Sequence, residues 1–442
     1  MSGESTIAAL SSGAVPSAVA VVRLSGPASG PVLAGLIGGP LPAPRRASLR
    51  RLRRPETGAL IDRAVVLWLP GPETATGEDM VELHLHGGRA VVAAALDAVT
   101  AHPDVRLAEA GEFTRRAFLA GRMDLAEVEG LADLLAAETE AQRRQAVAQA
   151  DGALSRRIAH WRAQALEARA LIEAGLDFTD EDDVDERAEA GALAIAAALA
   201  GDLKRALDDG HRAERLREGF RVALMGPPNA GKSSLMNALA RREVAIVTAE
   251  AGTTRDVIEV HLDLGGWPVL ILDTAGIREA ESLAEREGVR RAIAHGEVAD
   301  LVLWLDPADG GAIEPPSALA ARPGFRRVLS KTDLAPAGRR TRGHAFTVSA
   351  ATGAGVGDLL EGLALAAAEG LAGGESGLVT RARHRAAIAD AVAAIGLAHS
   401  AKGSELKAEH LRRAADALGA VIGAIGVEDV LGAIFSTFCI GK

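Results

Sequence analysis

A glycine-rich stretch near the middle of the chain most limits what this chain can fold into. Residues 226–234 read GPPNAGKSS, which fits the pattern G-x-x-x-x-G-K-[ST]. The apolar run 220–225 before it is typical of a strand, and residues 235–239 after it are typical of a helix. A strand, a tight loop and a helix in this order predict a P-loop. In such a loop, main-chain N–H groups and the helix N-terminus converge on phosphate oxygens.

The P-loop pattern also predicts how a nucleotide and its metal ion are held. Lys232 is expected to reach the β- and γ-phosphates, and the Ser233 hydroxyl to bind Mg²⁺. Thr254, in the segment GTTRD, is the expected second Mg²⁺ ligand. Asp273 begins the segment DTAG after an apolar strand and would hold Mg²⁺ through water, while the Gly276 N–H would contact the γ-phosphate.

Two later segments predict which base is bound. Residues 330–333 read SKTD after a strand, and Asp333 can accept two hydrogen bonds from the guanine N1–H and 2-amino groups, which adenine does not offer. Ser349 and Ala350 follow another strand and would support the base through a main-chain N–H. Because all these segments occur in the expected order, each after a strand, the chain is predicted to contain a GTP-binding domain.

Two positions depart from the usual GTPase pattern. Ile277 occupies the place where Ras-like enzymes carry the glutamine that orients water, and its side chain cannot form hydrogen bonds. Hydrolysis therefore needs another polar group and another positive charge. The acidic candidates downstream are Glu279, Glu281, Glu285 and Glu287. Ser330 replaces the usual asparagine, so we expect a somewhat looser base loop, with guanine still selected by Asp333.

The overall charge limits how the chain can meet nucleic acid. Its formal net charge is −10, so an RNA contact needs a local basic patch or a partner. The arginine-rich residues 45–54 are either such a patch or a solvated edge. The single cysteine, Cys439, excludes a disulfide within the chain, and a reducing cytoplasm is the expected compartment. The sequence predicts neither a secretory signal nor a membrane span.

Patterning along the chain predicts a multidomain α/β protein. Residues 1–120 suggest a small α/β domain, 121–216 are helical, 217–375 hold the P-loop domain and 376–442 are helical again. The P-loop domain is thus predicted to be inserted into one discontinuous helical domain.

Two polar clusters could be read as metal sites. His84 and His86 share one strand face, where a metal site is one interpretation and two exposed or ligand-facing polar residues the other. The acidic run 177–186 is interpreted as a solvated turn, with a metal role as its alternative.

Several motifs along the whole chain together resemble the MnmE (TrmE) family of bacterial tRNA-modification GTPases. They are NAGKSS (229–234), AGTTRD (251–256), DTAG (273–276), FCIGK (438–442), GED (77–79), HGG (86–88) and GEFTRRAF (111–118). The first three are shared with ribosome-assembly GTPases. The N-terminal motifs and the terminal CIGK are what point to this family.

The resemblance implies an architecture and an activity. It implies a folate-binding and dimerising N-terminal domain, a discontinuous all-α domain and an inserted Ras-like G domain, in a homodimer. It implies that the chain acts with a flavoprotein, MnmG (GidA), in a heterotetramer-type complex. Together they would install a carboxymethylaminomethyl or aminomethyl group at C5 of the tRNA wobble uridine. The carbon would come from 5,10-methylene-tetrahydrofolate, for which 5-formyl-tetrahydrofolate is an analogue. GTP hydrolysis would be K⁺-stimulated and coupled to G-domain dimerisation.

The resemblance also assigns roles by position. Glu285 falls where the family has the glutamate that orients water, and Cys439 matches a cysteine of the modification chemistry, against the alternative of a small buried residue. The implied K⁺ ligands are Asn229, Thr248, Glu250 and Thr253. The implied folate contacts are Arg23, Glu82, Arg122 and Lys442, with Arg122 at a position that is commonly lysine.

The motifs and the resemblance together give a full set of expected GTP contacts. They are Asn229, Ala230, Gly231, Lys232, Ser233, Ser234, Thr248, Thr253, Thr254, Asp273, Thr274, Ala275, Gly276, Lys331, Asp333, Ser349 and Ala350. The alternative interpretation is a GTP-driven switch for ribosome assembly, of the Era or Der type. Those proteins carry an RNA-binding domain or a second G domain, whereas here a helical segment with a terminal cysteine motif follows.

Overall fold

The computed structural model describes most of the chain. The described residues are 5–177, 182–246, 258–273, 298–310, 313–335, 343–372 and 377–424, together with positions 296, 432, 434, 435, 438, 440 and 441. The chain divides into two compact units. Unit 1 comprises Met1–Ala132 with Gly419–Lys442, and unit 2 comprises Asp133–Leu418.

Unit 1 is built on a six-stranded sheet. Its strands are β1 (Thr6–Leu10), β2 (Ser17–Ser25), β3 (Ser48–Arg53), β4 (Leu60–Leu69), β5 (Met80–Gly87) and β6 (Val105–Leu107). They lie in the order β3-β4-β5-β2-β1-β6, and β1 and β6 are the parallel pair. Alternating apolar residues such as Val22, Val66 and Leu83 face one side of the sheet, where they form a buried core. Helices α1 (Ser29–Ile37) and α2 (Arg89–Thr100) contribute Leu33 and Val99 to that core.

The end of the chain packs within unit 1, beside α3 (Glu112–Leu119) and the first part of α4 (Leu125–Ala136). Phe435 and Phe438 are buried in a cluster with Val128, and Ile440 forms an antiparallel bridge with Ala110. Gly111 has a φ of 69°, and a Cβ there would lie 2.5 Å from the Phe435 carbonyl oxygen. Only glycine therefore permits this close approach of the two backbones.

Unit 2 contains the second six-stranded sheet. Its strands are β7 (Phe220–Met225), β8 (Ile258–Leu264), β9 (Trp267–Asp273), β10 (Leu301–Pro307), β11 (Phe325–Ser330) and β12 (Phe346–Thr347). The order is β12-β11-β10-β7-β9-β8, with β8 the antiparallel strand at one edge. β10 is buried along its whole length, as expected for a central strand covered on both faces.

Helices lie before, between and after these strands in the chain. They are α5 (Glu140–Ala150), α6 (Ala153–Asp177), α7 (Asp182–Glu218), α8 (Lys232–Ala240), α9 (Ser317–Ala320), α10 (Val356–Leu371), α11 (Ala382–Ser400) and α12 (Ser404–Val421). α7 precedes the sheet in the chain and α11 follows it, yet the two pack together, with Arg385 Nη1 2.5 Å from Glu214 Oε2. Buried Thr380 Oγ1 also donates to Gln149 Oε1 at 3.0 Å. Helical segments from both sides of the P-loop region are thus joined.

The predicted multidomain α/β fold is confirmed, with two local differences. α7 begins at Asp182, so the second half of the acidic run is helical rather than a turn, which suits carboxylates because they stabilise a helix N-terminus. The rest of that run, 178–181, lies outside the described residues. The last residues are not simply a continued helix, because Ile440 forms an isolated antiparallel β-bridge with Ala110.

Candidate functional site

The P-loop joins central strand β7 to helix α8, as the sequence predicts. Gly226 has a φ of 148°, and a Cβ there would lie 2.6 Å from the Leu305 carbonyl oxygen, so glycine lets the loop turn tightly against β10. Asn229 has a left-handed backbone (φ 60°) and an exposed side chain. Asparagine tolerates this conformation better than most residues. The loop ends at Gly231, the N-cap of α8.

Lys232 is held over the P-loop by the loop itself. Its Nζ donates to the Gly226 carbonyl at 2.8 Å and to the Pro227 carbonyl at 2.9 Å. These bonds fix the ammonium on the side of the loop where a phosphate chain would lie. Together with the N-terminus of α8, this places positive potential where phosphate oxygens bind.

Two of the predicted Mg²⁺ positions lie at neighbouring strand ends. Ser233 is exposed in the first turn of α8, and Asp273 is the last residue of β9. Asp273 is paired with Leu224, near the carboxyl end of β7. The carboxyl ends of parallel strands are where open α/β sheets bind ligands, so Ser233 and the backbone position of Asp273 lie where Mg²⁺ beside a phosphate chain is expected.

The base-recognition segment is tied directly to the P-loop. Ser330 is 3% exposed, and its Oγ lies 2.6 Å from the Ala230 carbonyl oxygen and 3.2 Å from that of Asp306. A Cβ on Gly231 would lie 3.7 Å from Lys331 Cγ, so the lysine stem covers the loop. Lys331 Nζ then pairs with Asp309 Oδ2 at 2.9 Å.

Asp333 is oriented by a neighbour that sequence reasoning did not assign to it. Ser349 is buried, and its Oγ donates to Asp333 Oδ1 at 2.5 Å. The Ser349 N–H donates within its own loop, to the Ala354 carbonyl at 2.9 Å. Ser349 therefore orients, through its hydroxyl, the carboxylate that is predicted to select guanine.

We expect Ser330→Ala to weaken GDP and GTP binding by roughly fivefold, because it leaves the Ala230 carbonyl without this donor at a cost of about 1 kcal/mol. The turnover rate at saturating GTP should change little, since Ser330 contacts the loop and not the γ-phosphate. Titration with a fluorescent GDP analogue measures the affinity, and Ser317→Ala, on an exposed serine of α9, is the matched control. Equal affinities of the wild type and Ser330→Ala would contradict this positioning role.

In unit 1 two of the predicted folate contacts form a pair. Arg23 on β2 and Glu82 on β5 are direct cross-strand neighbours. Glu82 Oε1 accepts from Arg23 Nη2 at 2.9 Å and from Nε at 3.1 Å, and Oε2 lies 3.2 Å from His84 Nε2. The Arg23 guanidinium also lies 5.9 Å from the centre of the Phe113 ring. Both charged side chains keep part of their surface exposed, at 24% and 17%.

Of the other two predicted folate positions, the structure describes Arg122 but not Lys442. Arg122 is exposed, and a Cβ on Gly77 would lie 3.8 Å from its Cγ. Lys442 lies outside the described residues, but Gly441 before it accepts a hydrogen bond from Ser11 Oγ at 2.8 Å. Because Ser11 follows β1, the neighbour of β2, the chain end lies in the same part of unit 1 as the Arg23 strand.

Similarity to known proteins covers the whole chain. The family model described as "GTP-binding protein TrmE N-terminus" matches residues 6–122, and "MnmE helical domain" matches residues 125–439. A "tRNA modification GTPase MnmE" of Methylobacterium radiotolerans is 54% identical over 100% of both chains. The protein of that name from Methylorubrum populi is 56% identical over 99% of this chain and 98% of its own.

The chain belongs to the MnmE (TrmE) family. The predicted resemblance is thereby confirmed, and with it GTP hydrolysis as the activity of the P-loop site. GTP with Mg²⁺ is the nucleotide form that fits the loop, Lys232 and Ser233. The helical-domain model of the MnmE family matches residues 125–439, a range that contains both α7 and α11.

Several predicted MnmE site residues lie outside the described residues. They are Thr248, Glu250, Thr253, Thr254, Thr274, Ala275, Gly276, Ile277, Glu285, Cys439 and Lys442. Their roles stay predictions.

His84 and His86 are each placed beside a different carboxylate. His84 lies against Glu82, while His86 Nδ1 lies 2.8 Å from Asp62 Oδ1. Among the described residues, no group of three or more His, Cys, Asp or Glu side chains is arranged to hold a metal ion. Within the same residues, no helix is long and apolar enough to cross a membrane.

Proposed function

We propose that this chain is the GTPase component of a tRNA wobble-uridine modification enzyme. With a flavoprotein partner of the MnmG (GidA) kind, it would install a carboxymethylaminomethyl or aminomethyl group at C5 of that uridine. The observation that carries the proposal is the coincidence of two sites in one chain. A GTP site in unit 2 accompanies an Arg23–Glu82 pair in unit 1, in a chain whose full-length relatives are named tRNA modification GTPases.

The GTP site supports a hydrolysis mechanism that does not use a glutamine. Lys232, anchored on two loop carbonyls, stabilises negative charge on the β- and γ-phosphates. Asp333, oriented by Ser349, selects guanine. A bound K⁺ would supply further positive charge beside the phosphates. Glu285 is proposed to orient the attacking water, the task of the glutamine that Ras-like enzymes carry at the position of Ile277.

Asn229 is the described residue best placed to recruit that cation. Its backbone occupies the left-handed region, and its side chain is exposed on the loop that encloses the phosphates. An amide oxygen is a hard, neutral ligand that suits an alkali cation. We propose that Thr248, Glu250 and Thr253 complete the site.

Replacing K⁺ by Na⁺ should slow GTP hydrolysis by roughly tenfold or more, because a catalytic cation replaces part of the effect of an arginine finger. Asn229→Ala should remove the difference between the two salts while nucleotide affinity is retained. Asn237→Ala, on the exposed side of α8, is the matched control and should preserve the difference. Phosphate release in KCl and NaCl of equal ionic strength measures it. Equal wild-type rates in both salts would overturn the K⁺ proposal.

Unit 1 is proposed to bind the one-carbon donor, 5,10-methylene-tetrahydrofolate. The pterin ring presents a flat edge of N–H donors and acceptors, which a carboxylate and a guanidinium can recognise together. Glu82 and Arg23 form such a pair on adjacent strands, and Phe113 adds an aromatic face. We propose that Arg122 and Lys442 bind the remainder of the folate.

The remaining proposals concern the assembly and the chemistry. A homodimer would bring two G domains together during hydrolysis, and the flavoprotein would complete a heterotetramer-type complex. Cys439 is proposed to take part in the modification chemistry, in the segment between buried Phe438 and bridged Ile440. Because tRNA is the substrate, we propose that the enzyme acts in the cytoplasm.

Nucleoside analysis of tRNA from a strain that lacks this gene tests the proposed function. We expect the C5 substituent of the wobble uridine to be missing, with normal ribosomal subunits. Unchanged tRNA nucleosides together with defective subunits would instead support the Era- or Der-type assembly switch.

A further inference from the structure

An exposed row of arginines at the edge of the unit 1 sheet has no role in the GTP site or the proposed folate site. We call it the basic edge and define it as Arg46, Arg50, Arg51 and Arg53 on or just before β3, with Arg63 on β4. β3 is the terminal strand of the sheet. Residues 45–63 contain seven arginines and two carboxylates, in a chain whose net charge is −10. This segment therefore carries a local excess of positive charge.

The centre of the basic edge is a pair of like charges. Arg51 and Arg63 are direct cross-strand partners, and both are exposed. Directly opposed like charges destabilise a sheet. No carboxylate of a described residue forms an ion pair with either arginine. Folding stability alone therefore does not account for this pair, but an anion bound across both side chains would remove the repulsion.

The carboxylate nearest in sequence to the pair has other partners. Asp62 Oδ1 lies 2.8 Å from His86 Nδ1, and Oδ2 accepts from the His86 N–H at 2.9 Å. Oδ1 also accepts from the main-chain N–H of Arg63 at 2.7 Å, and not from its guanidinium. The guanidinium groups of Arg51 and Arg63 thus lie on the solvent-exposed face of the sheet. The exposed apolar side chains of Leu49 and Val65 lie beside them.

We propose that the basic edge is a docking surface for the phosphate backbone of tRNA. The inference rests on the proposed function for its choice of tRNA as the polyanion. Guanidinium groups bind phosphate through two parallel hydrogen bonds, which lysine does not reproduce. Alternate residues of a strand lie about 7 Å apart, so Arg51 and Arg53 present successive cations along a line. A backbone contact of this kind positions the RNA without reading its sequence.

Arg51→Gln/Arg63→Gln in the full chain tests the proposal. We expect tRNA binding, followed by fluorescence anisotropy over a range of KCl concentrations, to weaken roughly tenfold at low salt. The slope of log K against log[KCl] should become shallower by about 1 per lost phosphate contact, so by about 2 for the double variant. The GTPase rate should stay at the wild-type value, which also shows that the variant is folded.

Arg412→Gln/Arg413→Gln is the matched control, because it removes the same charge from two exposed arginines that pair with Glu409 in unit 2. It should leave both the affinity and the slope unchanged. Equal losses in the two variants, or none in the first, would overturn the docking surface while nucleoside analysis still decides the modification activity. Binding to phosphatidylserine vesicles that depends on Arg51 and Arg63, with tRNA binding intact, would overturn it in favour of a lipid surface.

Discussion

Lys232→Ala is expected to lower kcat for GTP hydrolysis by roughly 10²–10³-fold, the size of effect seen when one preorganised charge-stabilising donor is removed. The ammonium is held by the Gly226 and Pro227 carbonyls, so it is already in place before the reaction. A preorganised charge costs no reorganisation when negative charge develops on the phosphates. The loss should therefore appear in kcat and not only in KM.

Single-turnover phosphate release at saturating GTP measures this effect. Lys204→Ala, on the exposed surface of α7, makes the same change away from the site and should hydrolyse GTP at the wild-type rate. A Lys232→Ala protein with normal kcat and raised KM would show that the lysine serves binding alone. It would also remove the main support for a transition-state role of the P-loop.

The second large effect concerns a buried ionic network in unit 1. Glu112 is 2% exposed and accepts hydrogen bonds from Arg106 Nη1 at 2.8 Å, Arg116 Nη2 at 3.1 Å and the Glu109 N–H at 3.0 Å. Arg116 is also buried, and its Nη1 lies 3.0 Å from both carboxylate oxygens of Glu78. The network thus joins α3 to the segment between β4 and β5.

We expect Glu112→Gln to destabilise unit 1 by about 3 kcal/mol, because removing one partner leaves the buried Arg116 charge partly uncompensated. Hydrogen exchange of peptides covering residues 105–119 measures the local free energy of unfolding. Glu140→Gln is the control, since Glu140 is half exposed and pairs with Arg143 on the surface. That change should cost far less, because solvent screens an ion pair on the surface. Similar losses from both substitutions would contradict the role given to the network.

The same carboxylate gives unit 1 a defined pH dependence. Burial acts to raise the pKa of Glu112, but the hydrogen bonds and charge of Arg106, the Glu109 N–H and Arg116 outweigh it and lower the pKa to about 2 from an ordinary 4.5. As the pH falls, Glu112 takes up its proton in the unfolded chain at a higher pH than in the folded protein. The stabilisation of the folded state, about 3 kcal/mol, is therefore complete above about pH 4.5 and is lost as the pH falls towards 2. Glu112→Gln should flatten that part of the stability curve.

The sequence predicted the P-loop well because the strand, loop and helix that form it are contiguous. Residues 220–240 carry both the motif and its flanks, so local patterning was enough. β3 was missed as a strand because it lies at the edge of the sheet and four of its six residues are arginine or serine. Only Leu52 of this strand belongs to the core. The period-2 signal of a half-buried strand is weak in such a segment.

Contacts between distant parts of the chain were beyond sequence reasoning for a different reason. The packing of Phe435 against Gly111 and the bond from Ser349 to Asp333 both depend on how the chain returns to itself. No local pattern records that path. The motif GEFTRRAF signalled that residues 111–118 matter, but it did not indicate that Glu112 and Arg116 form a buried network. The Ser330 hydroxyl likewise revealed its P-loop contact only in the folded protein.

We propose as the central claim that the GTP site drives modification of the tRNA wobble uridine. Its most direct test is nucleoside analysis of tRNA from a gene-deletion strain that carries either the wild-type gene or the Lys232→Ala gene at equal protein levels. We predict that the wild type restores the C5 substituent and that Lys232→Ala, though folded, does not. Full restoration by Lys232→Ala would contradict the claim, because modification would then proceed without GTP hydrolysis.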